Sequence, residues 1–147
     1  MSLGFKFRET MSGSYHLASA PDHERAMSFT IAARAYDIGR YLRDRTVQIE
    51  GEVDLEGFAD HRPMRGTMLL DPLLGKRVRY VFDFEANDGR KCTFDGEKNV
   101  ELLRFMETIT TLPGEIRDAA GRTIGSAKLR FDARSDLPKF LRSWKVA

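Results

Sequence analysis

Two charged residues stand where the pattern calls for an apolar side chain. Glu9 lies in line with Phe5, Phe7 and Met11, and Lys98 continues the row Cys92, Phe94 and Gly96. A carboxylate or an amine on a buried face needs a partner, or burial shifts its proton balance. One reading puts each at a strand end in reach of solvent, which a lysine achieves by extending its stem. The other makes them the polar end of an internal pocket. Together with Tyr80 they are the groups that could serve as acid or base in a barrel enzyme, provided that all three converge.

Other chemistry is thinly represented. His16, His23 and His61 are scattered without metal-ligand spacing, and Asp22, His23 and Glu24 are chain neighbours that do not readily converge on one ion. The single cysteine, Cys92, excludes an internal disulfide and a cysteine-cluster metal site, and reads as a small core residue. With no nucleophile elbow, phosphate loop or dinucleotide fingerprint, no catalytic residue, metal or cofactor is assigned. Lys plus Arg number 24 against 22 Asp plus Glu, a balance that does not ask for nucleic acid or an acidic membrane. Arg40, Arg43 and Arg45, like Lys139, Arg142 and Lys145, lack interleaved aromatics and read as solvated faces of helical turns.

The elements that must position these residues are mostly strands. At 147 residues with 41% hydrophobic content, residues 1–147 fit a single domain with a continuous core. No apolar run nears the ~20 residues of a membrane span, and no signal segment opens the chain, so a cytoplasmic location is expected. Period-two alternation marks strands with one buried face, as in Met27, Phe29, Ile31, Ala33 and Ala35, or Val47, Ile49, Gly51, Val53 and Leu55. A fourth strand is read from Met64 onward, after a turn around Gly57 to Arg62. "NDG" at 87–89 predicts a tight hairpin. Residues 105–117 read as extended, interrupted at Pro113-Gly114. The sum is an all-β fold of about eight antiparallel strands in an up-and-down meander, closing as a barrel; a two-sheet sandwich is the alternative.

Alternation stops twice. "DIGRYLRDRTV" (37–47) is echoed by "DLPKFLRSWKV" (136–146), and each follows a strand. Ile38, Tyr41 and Leu42, like Leu137, Phe140 and Leu141, fall at i, i+3 and i+4 and predict two short helical turns with one inward face. Asp37 caps the first, and Ser135 or Asp136 the second. The pair is expected to cover opposite ends of the barrel. Five glycines, Gly13, Gly51, Gly66, Gly96 and Gly125, fall on apolar faces of different strands. They mark either points where a closed sheet coils sharply or room for a ligand.

Several stretches, read together, resemble a domain of long cholesterol-oxidase-like proteins of the glucose-methanol-choline oxidoreductase class, outside their flavin-binding part. They are "FRETMSG", "DIGRYLRD", "PMRGTMLL", "RVRYVFDFEANDGRKCTFDGEK", "TITTL" and "GSAKLRFDARSDLPKFLRSW". The chain carries no glycine-rich flavin-binding unit, so the resemblance implies an accessory β-domain associated with sterol or lipid chemistry, not the redox activity. The expectation that follows is a non-catalytic domain holding an apolar small molecule in a barrel interior. Its pocket candidates are Phe7, Glu9, Met11, Phe29, Met68, Tyr80, Phe82, Phe94 and Lys98. The alternatives are an interaction module that docks a partner enzyme or forms a homodimer, and an enzyme acting on a hydrophobic substrate.

Overall fold

The computed structural model describes residues 3–132 and 136–146. Eight antiparallel strands follow one another around a closed barrel: β1 (Phe5–Leu17), β2 (Arg25–Ala35), β3 (Thr46–Leu55), β4 (Ala59–Asp71), β5 (Arg77–Glu85), β6 (Lys91–Asn99), β7 (Thr111–Asp118) and β8 (Thr123–Arg130). Closure comes from β1, which pairs with β2 along Phe5–Tyr15 and with β8 along Ser12–Leu17. Each strand alternates buried and exposed residues, so one face of every strand enters a common core. Closure of the ladder decides against the sandwich.

Strand parity sorts the connections. In an up-and-down barrel, alternate loops lie at the same end. The tight turns at 18–24, 56–58, 86–90 and 119–122 share one end, which we term the closed end. There Ala86 and Arg90 flank the hairpin, and Gly89 takes φ 88. The other end carries every helix: α1 (Ile38–Asp44), α2 (Phe105–Thr110) and α3 (Leu137–Ser143), together with the loop between β4 and β5.

Several expectations change here. Both copies of the echoed motif lie at the same end, because β2 and β8 run in the same direction and each leads into its helix there. Within each copy only the central aromatic, Tyr41 or Phe140, is partly buried against the core, whereas Ile38, Leu42 and Leu141 are largely exposed. Asp37 caps α1 as expected, its Oδ1 accepting from Gly39 N at 2.8 Å and Arg40 N at 3.4 Å. Ser135 lies outside the described residues, and Asp136 holds the N-cap position of α3, but its carboxylate accepts from Asp132 N (3.1 Å) and makes no side-chain cap bond. Residues 105–110, expected to be extended, form α2, so the described residues hold three α-helices, with a 3-10 turn at Leu102–Arg104 leading into α2. Thr108 and Thr110 are β-branched, yet their hydroxyls bond back to carbonyls in the preceding turn, and Phe105 and Ile109 share the inward face. The turn after β3 is tighter than expected, and β4 starts at Ala59, with His61 at φ 48.

The glycine row belongs to the coiling of the sheet. A Cβ on Gly51 would strike the Thr30 carbonyl, and one on Gly66 the Val81 carbonyl and the Phe82 backbone. At Gly13 and Gly125 the neighbour is again a strand carbonyl, of Lys128 and His16, and at Gly96 it is the ring of Phe94. Adjacent strands and core side chains fill these positions, leaving no room for a ligand. Gly51→Val should therefore cost about 2 kcal/mol or more of unfolding free energy, read by urea denaturation.

Candidate functional site

The barrel interior is divided by depth. In its middle and toward the closed end it is solid: Phe29 meets Phe82 at 5.4 Å between ring centroids, and Phe82 stacks on Phe94 at 5.0 Å. Met11 is fully buried in the same core, and Tyr15 closes the bottom by donating its hydroxyl to the Glu56 carbonyl (2.6 Å). Toward the helical end the interior opens into a cavity of about 720 Å³. That size lies within the roughly 300–1,000 Å³ of small-molecule sites.

Three groups of residues build the cavity. The barrel contributes Phe7, Glu9, Met68, Leu70, Val78, Tyr80 and Lys98. The helices contribute Tyr41 and Arg45 from α1 and its C-terminus, Phe105, Met106 and Ile109 from α2, and Leu137, Phe140 and Trp144 from α3 and its end. The β4–β5 loop adds Leu73 and Leu74, which are 69% and 75% exposed at the rim. Of the nine pocket candidates, Phe7, Glu9, Met68, Tyr80 and Lys98 line this space, whereas Met11, Phe29, Phe82 and Phe94 belong to the solid core. The dividing line is height: the first set lies nearer the helical end of each strand, the second nearer the turns.

The wall beside Phe7 and Glu9 is made by α3. Strand β8 leaves β1 after Ser12, and the two-residue strand β9 (Lys145–Val146) rejoins it only at Phe5 and Lys6. Between them Ser143 Oγ accepts from Arg8 N (2.8 Å) and donates to the Phe140 carbonyl (2.6 Å). Trp144 stacks on Phe7 at 4.4 Å, and Phe140 meets Phe7 edge-on at 5.4 Å. Such aromatic pairs each contribute about 0.5–1.5 kcal/mol beyond area burial. On the other flank Tyr41 packs edge-on against Phe5 at 5.1 Å and donates its hydroxyl to the Leu70 carbonyl (2.6 Å).

The apolar walls surround one polar cluster. Tyr80 OH donates to Glu9 Oε1 at 2.5 Å, and Lys98 Nζ lies 5.3 Å from the centre of the Tyr80 ring. Lys98 is 4% exposed and is the one charged residue among the buried described residues. No ion pair within 4.0 Å joins Lys98 to Glu9, and among the described residues no hydrogen bond closes on Nζ. Burial lowers the Lys98 pKa, and the charge of Glu9 offsets part of that effect. Burial also pushes the Tyr80 phenol well above its ordinary value, reinforced by the charge of Glu9 and by the hydrogen bond to it. Tyr80 is thus a fixed proton donor that holds one oxygen of Glu9.

The remaining candidates stay apart. Cys92 is buried at the closed end, where burial raises its pKa, and the histidines lie outside the cavity. No cluster of His, Cys, Asp or Glu among the described residues is arranged to hold a metal ion. A broader depression of about 1260 Å³ runs along the outer wall of the barrel, but its lining includes surface charges already paired, such as Arg65 with Glu50 and Arg62 with Glu85. Among the described residues no helix is long and apolar enough to cross a membrane. Compared with known proteins, the chain matches no family model, no curated protein and no solved structure.

The two buried groups leave opposite marks on stability. Between the lowered value of Lys98 and its ordinary 10.5, the unfolded chain holds a proton that the folded chain has released. Stability therefore rises with pH through that window. Above the ordinary 10.0 of Tyr80 the unfolded phenol ionises while the folded one keeps its proton, so stability falls. Lys98→Met should flatten the rise and keep the fall, and Tyr80→Phe should reduce the fall, both read by urea denaturation across alkaline pH.

Proposed function

We propose that this protein is a binding domain that holds an apolar small molecule, of lipid or sterol type, in the helical end of its barrel. The observation that carries the reading is the cavity itself: about 720 Å³ of largely apolar interior, opening at a rim of exposed leucines, with one polar cluster in its wall. Ligand pockets have this composition, apolar walls giving affinity and a few polar groups giving orientation. The resemblance to an accessory domain of cholesterol-oxidase-like proteins supports the same ligand class. Convergence of Glu9, Tyr80 and Lys98 meets the geometric condition for an enzyme. The strongly held proton of Tyr80 nevertheless suits a fixed hydrogen-bond donor better than a group that must release its proton at neutral pH.

Leu73, Leu74, Leu103, Met106 and Leu141 are all exposed at the helical end and favour a second reading, in which this end docks on a partner protein or a second copy. The two readings separate experimentally. Native mass spectrometry of protein purified from its own host should reveal a co-purifying apolar compound, and added sterol or fatty acid should raise the melting temperature by several degrees. Met68→Trp, which fills the cavity, should abolish that shift. Recovery of bare protein with no shift, together with a concentration-dependent dimer in sedimentation, would replace the first reading with the second.

A further inference from the structure

The polar cluster is unfinished in a specific way. Glu9 Oε1 is taken by Tyr80, and among the described residues Oε2 has no hydrogen-bond partner. Lys98 Nζ is likewise without one, although its residue is more than nine-tenths buried. Among the described residues no buried side-chain nitrogen or oxygen lacks a partner, so both unpartnered atoms keep access to open space, and both residues line the cavity. The cavity therefore presents a free acceptor and a free donor, more than 4.0 Å apart, amid apolar walls.

Resting on the binding function proposed above, we infer that the cavity selects apolar molecules bearing a neutral hydroxyl, which accepts from Lys98 Nζ and donates to Glu9 Oε2. A hydroxyl is a small neutral group that is donor and acceptor at once. A carboxylate head would satisfy Lys98 but set a second negative charge against Glu9, where the apolar surroundings screen it poorly. An amine head would meet the converse penalty at Lys98. A plain hydrocarbon, or an ether that only accepts, would cover Glu9 Oε2 without replacing its water. Glu9 opposes an anion whether Lys98 is charged or neutral, whereas the penalty on an amine head applies while Lys98 carries its proton.

The test is a matched series on the wild-type protein: dodecan-1-ol, dodecanoic acid, dodecylamine and methyl dodecyl ether, each displacing an environment-sensitive fluorophore from the cavity. The alcohol should bind about tenfold more tightly than the acid, the amine or the ether. Glu9→Gln, close in shape to the original, should raise the affinity of the acid toward that of the alcohol, and Lys98→Met should weaken the alcohol and the ether alike, the alcohol staying ahead through its bond to Glu9. An acid that binds as tightly as the alcohol overturns the inference and makes Lys98 an anion anchor. Equal affinity across the series overturns it and leaves the cavity a shape-only site. If no member of the series displaces the probe, the binding function itself fails, and this inference with it.

Discussion

The rest of the structure depends on how the barrel closes along β1. This strand must satisfy its backbone on two sides, and β2 covers one side from Phe5 to Tyr15. On the other side β8 reaches only from Leu17 to Ser12, leaving the first half of β1 without a continuous strand partner. An open edge beside a buried face is costly, because strand amides need partners and the core needs a wall. The chain resolves this after β8 with a helix, a serine and a two-residue strand. Ser143 engages Arg8, Val146 pairs with Phe5, and Trp144 with Phe140 seals the apolar side.

That repair creates the cavity. A strand in the same place would have brought its side chains close against Phe7 and Glu9, as β8 does beside Tyr15. A helix stands farther from the sheet than a strand stands from its neighbour, so the helical end is wider than the closed end. Glu9 is consequently half-buried while Lys98, facing it from β6, is almost wholly enclosed. The solid half supplies the rigidity: the Phe29, Phe82 and Phe94 cluster fixes the strands from which Tyr80 and Lys98 project.

Much of this was legible in residue types and spacing. Period-two alternation located seven of the eight barrel strands, β7 being read only as part of an extended stretch, and the charges at Glu9 and Lys98 admitted either solvent-reaching strand ends or the polar end of a pocket. The nine pocket candidates divided five to four because alternation reports the face of a strand, not the height along it. Height was recoverable from strand parity. In a meander, residues early in β1 and β5 and late in β4 and β6 share an end, and that rule groups Phe7, Glu9, Tyr80, Met68 and Lys98. The contributions of α2 were not recoverable in this way. Thr108 and Thr110 carry strand propensity, and the backbone carbonyls that their hydroxyls bond exist only once the turn has formed.

The sequence by itself determined the strand pattern, the inward faces and the presence of two charges among apolar residues, because side-chain alternation is a local property of the backbone. It also determined the recurrence of a strand followed by a helical turn, with Asp37 preceding the first helix. Only the tertiary structure decided that both copies guard one end, that the glycines serve close strand contact, and that Glu9, Tyr80 and Lys98 meet. Those facts depend on closure, which brings β1 and β6 to face each other across the interior. No local pattern encodes a distance across a barrel.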